Sequence, residues 1–170
     1  MTSEGVSPHV RRRTERDLGD CVRVLREVHD RDGYPVNWPD APAEWLSPSS
    51  LFASWVAVSD GRIAGHVGLS RPGESDLAPG LFGVPVNTTV VVNRLFVAPW
   101  ARGHGVGASL MGRVVTEARD RGVHPVLDVV ASGTAAARLY EGLGWRFLGT
   151  GEQQWGPEQR VTIRCYAAPS

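Results

Sequence analysis

Residues 93–122 read N-R-L-F-V-A-P-W-A-R-G-H-G-V-G-A-S-L-M-G-R-V-V-T-E-A-R-D-R-G. Leu95, Phe96 and Val97 close a β-branched run that begins near Thr88, which predicts a strand. Pro99 has no N–H to give to a ladder and stops that strand. Arg102, Gly103, His104, Gly105, Val106 and Gly107 follow, and beyond them Leu110, Met111, Val114, Val115 and Ala118 recur at helical spacing. The stretch is therefore strand, glycine-rich turn, helix.

Three glycines at alternate positions give a backbone that can adopt positive φ and that a bulky ligand can approach. The first amides of the helix have no intrahelical partner and sit at the positive end of its dipole. Such a turn suits phosphate or pyrophosphate, and Arg102 adds a cation capable of bidentate phosphate contact. A P-loop is excluded, because no Gly-Lys-Ser/Thr occurs and the chain has no lysine at all. Gly103, Gly105 and Ala108 fit the dinucleotide pattern G-x-G-x-x-G/A, but its glycines follow their strand directly, whereas Pro99, Trp100 and Ala101 intervene here.

The run L-F-V-x-P-x-x-R-G-x-G-V-G-x-x-L resembles the acetyl-CoA motif of the GNAT N-acetyltransferase superfamily, with Arg102, Gly105 and Gly107 on its R/Q-x-x-G-x-G/A pattern. Ala135–Trp145, A-A-A-R-L-Y-E-G-L-G-W, resembles the late helix of the same superfamily. The resemblance implies an α/β fold with a mixed, mostly antiparallel central sheet, splayed at the cofactor-binding strand and flanked by helices. It also implies acetyl-CoA as cosubstrate and no metal. Leu95, Phe96 and Val97 would take the pantetheine arm, and Arg102, Gly103, His104, Gly105, Val106, Gly107 and Ala108 the pyrophosphate. The Val97 N–H would serve as oxyanion donor, and Tyr140 would protonate the departing sulfur. Where the superfamily often has Asn, seven residues before that tyrosine, this chain has Gly133, and Ser132 or Thr134 would replace its cofactor contact.

Composition bounds this reading. The 170 residues suit one domain over residues 10–168 after a loose N-terminus of residues 1–9, burying roughly 70% of the unfolded surface. Hydrophobic content of 42% and charged content of 21% are those of a globular chain, and no apolar run approaches a membrane span. The start lacks an apolar signal core, so the expected location is cytoplasmic. Zero formal net charge gives no general attraction to nucleic acid or to an anionic membrane, and Arg11-Arg12-Arg13 reads as the solvated start of a strand. Cys21 and Cys165 lack metal-ligand spacing and read as buried apolar residues.

In chain order, Val10–Arg13 predicts a first strand and Thr14–Asp17 a capping box. Leu18, Cys21, Val22, Leu25 and Val28 line one face of a helix that ends between His29 and Gly33. The next segment holds Pro35, Pro39, Pro42 and Pro48 and three large aromatics, leaving room for one helical turn at Ala43–Leu46. Tyr34, Asn37 and Trp38 there either form an acceptor wall or anchor the loop to the sheet. Ser54–Val58 and Ile63–Leu69 predict a hairpin turning at Asp60-Gly61. Residues 71–86 read as an insertion whose Leu81 and Phe82 close over the acceptor, make a homodimer contact or pin the loop. Val126–Val130 predicts a strand, Ser132 or Thr134 caps a helix ending at Gly142–Gly144, and residues 146–154 and 160–167 close as a hairpin.

Acetyl transfer needs a free amine, a stabilised oxyanion and a proton for the thiolate. Glu74, Asp76, Asp128, Glu152, His66 or a water chain could supply the base, and His66 reads first as a sheet histidine with a local partner. The leading expectation is an acetyl-CoA-dependent N-acetyltransferase acting on a primary amine of a small molecule or peptide in a ternary complex. The alternative is a non-catalytic acyl-CoA-binding module, a sensor or structural partner.

Overall fold

A computed structural model describes residues 8–169. Its elements run β1 (His9–Arg12), α1 (Leu18–Asp32), α2 (Pro42–Trp45), β2 (Leu51–Ser59), β3 (Arg62–Ser70) and α3 (Ala78–Phe82). They continue as β4 (Thr89–Val97), α4 (Val106–Arg121), β5 (His124–Val130), α5 (Thr134–Gly142), β6 (Arg146–Gly156) and β7 (Gln159–Ala167). The strands form a seven-stranded sheet in the order β1-β2-β3-β4-β5-β7-β6. Thr89–Val91 of β4 pairs in parallel with His124–Val126 of β5, while β1/β2, β5/β7 and β6/β7 are antiparallel. This is the expected mixed α/β sheet. The N-terminal segment expected to be loose lies outside the described residues over positions 1–7, and His9 already belongs to β1. Among the described residues no helix is long and apolar enough to cross a membrane.

The chain clusters into two compact units, one running to Gly68 and including Arg94–Arg113, the other comprising Leu69–Asn93 and the chain from Val114 onward. In the first unit, Asp17 takes the Thr14 N–H at 2.7 Å and a bidentate Arg11 guanidinium at 2.8 and 2.9 Å. The Arg11 hydrogen bonds are the main reason its carboxyl is lowered to about 2. The buried stripe of α1 is Cys21, Val24, Leu25 and Val28; Leu18 and Val22, expected on that face, are only half-buried at its margin. Gly33, at φ 75°, ends the helix by donating to His29 O at 2.9 Å. Asp60 and Gly61 both have positive φ, 52° and 75°, as a type I′ hairpin demands, and β2 begins at Leu51 rather than Ser54.

In the second unit Ala78, Val91, Val126, Ile163, Cys165 and Ala167 form a buried cluster against which Leu77, Phe82, Leu148 and Val161 pack. The insertion thus contains a short helix that the sequence did not predict. Asp128 builds it from a distance: its carboxylate accepts the Leu77 and Ala78 amides, each at 2.8 Å, at the helix start. Phe82 stacks on His124 with centroids 4.6 Å apart, so one of the two expected loop residues pins it, while Leu81 remains 47% exposed. The cap expected from Ser132 or Thr134 is not made. Gly133 occupies the N-cap position of α5 with no side-chain cap bond, and the turn closes through backbone, with Gly133 N donating to Val130 O at 2.8 Å.

Candidate active site

The end of β4 is shaped by a left-handed residue. Arg94 has φ 56°, a conformation that costs a non-glycine residue roughly 1–2 kcal/mol and persists only where its surroundings impose it. Two groups hold it. The Arg94 carbonyl lies 2.8 Å from His66 Nδ1, and its Nε donates to Trp45 O at 2.9 Å while its guanidinium stacks 3.9 Å from the Trp45 ring centroid. His66 is fully buried and stacks on Phe96 at 5.2 Å, with the planes 13° apart. Its other nitrogen, Nε2, lies 3.0 Å from Arg13 Nη1. Arginine has no acceptor, so Nε2 accepts, the proton resides on Nδ1, and Nδ1–H donates to Arg94. Burial, above all, pushes the imidazole down to about 4, which keeps this neutral tautomer at neutral pH. Arg13 also donates to Leu46 O at 2.8 Å and to Ser47 Oγ.

Ala98 N donates to Ala64 O at 2.8 Å, after which Pro99–Ala101 makes a single 3-10 turn into the glycine segment. Gly103 and Gly105 have φ 81° and 78°, and a Cβ on either would meet nothing within 4 Å. Gly107 differs from expectation. It lies inside α4 and is not among the positive-φ glycines, so only its missing side chain matters. The first hydrogen bond into α4 runs from Ser109 N to Gly105 O at 3.0 Å, so the amides of Val106, Gly107 and Ala108 precede any intrahelical acceptor. His104 is exposed and Val106 is buried. Arg102 forms an ion pair with Asp32, in the last turn of α1, and donates to Val97 O at 3.3 Å.

The aromatic loop starts one residue after Asp32. His29 Nδ1 meets Pro35 O at 2.7 Å. Tyr34 stands edge-on to Trp45 at 6.2 Å, and burial pushes its phenol up to about 12. Trp38 lies on α1, 5.2 Å from the His29 ring and 4.5 Å from the Arg26 guanidinium, and Asn37 is exposed.

The remaining expected residues belong to the second unit. Tyr140 is buried in α5, its ring centroid 6.0 Å from Trp145 and 5.9 Å from Tyr166. Ser132 and Thr134 are exposed on either side of Gly133. Of the acids weighed as base, Asp128 is committed to the α3 amides, Glu152 faces Arg160 at 3.5 Å and Asp76 accepts Gly73 N–H at 2.7 Å. His66 has both nitrogens engaged. Sequence reasoning missed Arg13, Asp32 and Arg94. Only the polar break of Asn93-Arg94 in an otherwise apolar run pointed toward the last of them.

A left-handed Arg94 near the end of β4, a tight turn with two left-handed glycines and the opening amides of α4, which have no intrahelical acceptor, follow one another along the chain. Residues 21–145 match the Acetyltransferase (GNAT) family, and the chain belongs to that family. Over 117 residues it is 32% identical to N-acetylaspartate synthetase of Rattus norvegicus, an alignment covering 68% of this chain and 34% of the rat protein. The match thus spans about a third of that relative's length. Among solved structures it is similar to the ribosomal-protein-S18-alanine N-acetyltransferase of Escherichia coli, with a TM-score of 0.68 and 18% identity over 95% of this chain and 93% of that one. It is also similar to yncA of Salmonella typhimurium with its cofactor acetyl-CoA, with a TM-score of 0.67 and 19% identity over 96% and 95% of the two chains. A GCN5-related N-acetyltransferase from Kribbella flavida gives a TM-score of 0.69 at 22% identity over 96% and 98%. These likenesses establish the fold.

Proposed function

We propose that the protein transfers an acetyl group from acetyl-CoA to a primary amine of a small molecule or peptide, by direct attack in a ternary complex. The observation that carries the reading is the turn from Arg102 to Gly105, whose two left-handed glycines open into α4 below the kinked end of β4. Membership of the Acetyltransferase (GNAT) family supports it, as do relatives named for N-acetyl chemistry, N-acetylaspartate synthetase and ribosomal-protein-S18-alanine N-acetyltransferase.

The fit to acetyl-CoA rests on this chain's own residues. Gly103 and Gly105 leave open the space that a side chain would fill, and the amides of residues 106–108 suit pyrophosphate oxygens. Bound there, acetyl-CoA supplies an activated thioester. Arg102 exchanges Asp32 for phosphate, Leu95–Val97 hold the pantetheine arm through main-chain groups, and Ser132 and Thr134 offer hydroxyls to the cofactor. The Val97 N–H stabilises the negative charge that develops on the thioester oxygen. As the amine nitrogen bonds to the acyl carbon and the C–S bond breaks, Tyr140 gives its phenolic proton to the sulfur, while water takes the proton released by the nitrogen and returns one to the phenolate. Tyr34, Asn37 and Trp38 border the acceptor.

Gly107→Val tests the cofactor site without backbone strain, because Gly107 has helical φ. Calorimetry should show the wild type binding acetyl-CoA and a folded Gly107→Val protein failing to do so. Equal affinity in the two would remove the glycine turn from the site.

A further inference from the structure

We propose that His66 is a positioning residue for acetyl transfer: it holds the backbone of β4 from Arg94 to Val97 in the kinked form that receives the thioester, by donating Nδ1–H to the Arg94 carbonyl. This rests on the acetyl-transfer reading for its functional consequence and on the observed network for its structural one. Arg94 takes φ 56° without being glycine, asparagine or aspartate, so something other than its residue type selects that conformation. The hydrogen bond at 2.8 Å from His66 fixes the carbonyl just ahead of Leu95, and the stacked His66–Phe96 pair fixes the residue just ahead of Val97. One side chain thus grips both approaches to the proposed oxyanion amide.

The grip has a direction, and Arg13 sets it. A cation that can only donate faces Nε2 at 3.0 Å, so the imidazole is left with its one proton on the side of Arg94. Arg13 itself is anchored on Leu46 O and Ser47 Oγ, at the end of α2, and the Arg94 side chain is anchored on Trp45 of the same turn. The kink is therefore tied twice to the α2 turn, once through its carbonyl and once through its guanidinium.

A double-mutant cycle between His66→Phe and Arg94→Gly reads the inference. Phe keeps the stacking on Phe96 and removes both hydrogen bonds, while Gly adopts positive φ with no outside help. In the wild-type background His66→Phe should lower kcat about tenfold or more with little change in the acceptor KM, and in the Arg94→Gly background the same change should cost no more than about threefold. His66→Gln, which retains an N–H donor and a C=O acceptor, should recover part of the loss. Hydrogen exchange at Leu95–Val97 should quicken about tenfold in His66→Phe, independently of any turnover. If His66→Phe does not fold, His66→Asn serves in the same cycle, since its shorter amide cannot span Arg13 and Arg94. Equal losses in both Arg94 backgrounds, or wild-type exchange at Leu95–Val97 in the His66 variant, would overturn the assignment. A wild-type protein that binds no acetyl-CoA would instead overturn the acetyl-transfer reading, leaving the exchange measurement to decide the role of His66 in the kink.

Discussion

His66 is enclosed to zero exposure between Phe96, Arg13 and the Arg94 carbonyl, and that enclosure sets a pH dependence. The folded protein resists protonating it until about pH 4, whereas the unfolded chain protonates it near 6.5. Between those values the unfolded state binds the extra proton, so stability is full above pH 6.5 and falls as the pH drops toward 4. Urea denaturation should show about 2 kcal/mol less stability at pH 5 than at pH 7 from this group alone, at 1.36 kcal/mol per unit. His66→Asn should flatten that window; an unchanged slope would mean that His66 is not held neutral. Tyr140 carries the second prediction at this scale. Tyr140→Phe keeps the ring beside Trp145 and Tyr166, so kcat should fall on the order of a hundredfold, about 2.7 kcal/mol of barrier, with acetyl-CoA affinity preserved. An unchanged kcat from neutral to alkaline pH would strike Tyr140 from the mechanism. That His66 is a partnered sheet histidine was readable from its place in the strand, but its partners, the Arg94 carbonyl and Arg13, lie 28 and 53 positions away and are not local. Arg94 was not readable, because the kink falls on a residue type with no preference for positive φ, and its cause lies 28 positions earlier in the chain.

At the scale of elements, β3 and α4 meet at Gly65. A Cβ built there would stand 2.9 Å from Val106 Cγ1, 3.0 Å from Leu110 Cδ1 and 3.0 Å from the Phe96 carbonyl oxygen. Two of those neighbours are side chains at the start of α4, but the third is backbone of β4 and cannot rotate away. Gly65→Ala should therefore destabilise the protein by about 1–3 kcal/mol and weaken acetyl-CoA binding together with it, since relief of the contact shifts the helix that bears the glycine turn. Thermal denaturation paired with calorimetry checks this, and a variant of wild-type stability would show that the contact relaxes at no cost. The strand, turn and helix from Asn93 to Gly122 were legible because apolar period and glycine spacing are local signals. The helix at Ala78–Phe82 was not, because its start is capped by Asp128, 50 residues away, and no local pattern announces that bond. The cap of α5 was misread for a related reason: Ser132 and Thr134 have the right chemistry, but the turn from Val130 to Gly133 closes through backbone and puts glycine at the cap.

Across the whole molecule, the order of elements apart from α3 and the mixed sheet followed from the sequence, as did family membership, through two motifs at a fixed spacing. What the motifs left open are the long-range bonds that tie loops to strands: Asp32 to Arg102, Arg13 to Ser47, Trp45 to Arg94. Each joins residues far apart in sequence, and Asp32, at the end of α1, ties the start of the aromatic loop to the glycine turn. Catalysis is read out by the release of free CoA thiol. The protein, incubated with acetyl-CoA and a panel of amino acids, polyamines, peptides and xenobiotic amines, should release CoA at a rate that depends on at least one amine, with the acetylated amine as the matching product. Acetyl-CoA binding with no amine-dependent release across the panel would contradict the account and identify the chain as an acyl-CoA-binding module without turnover.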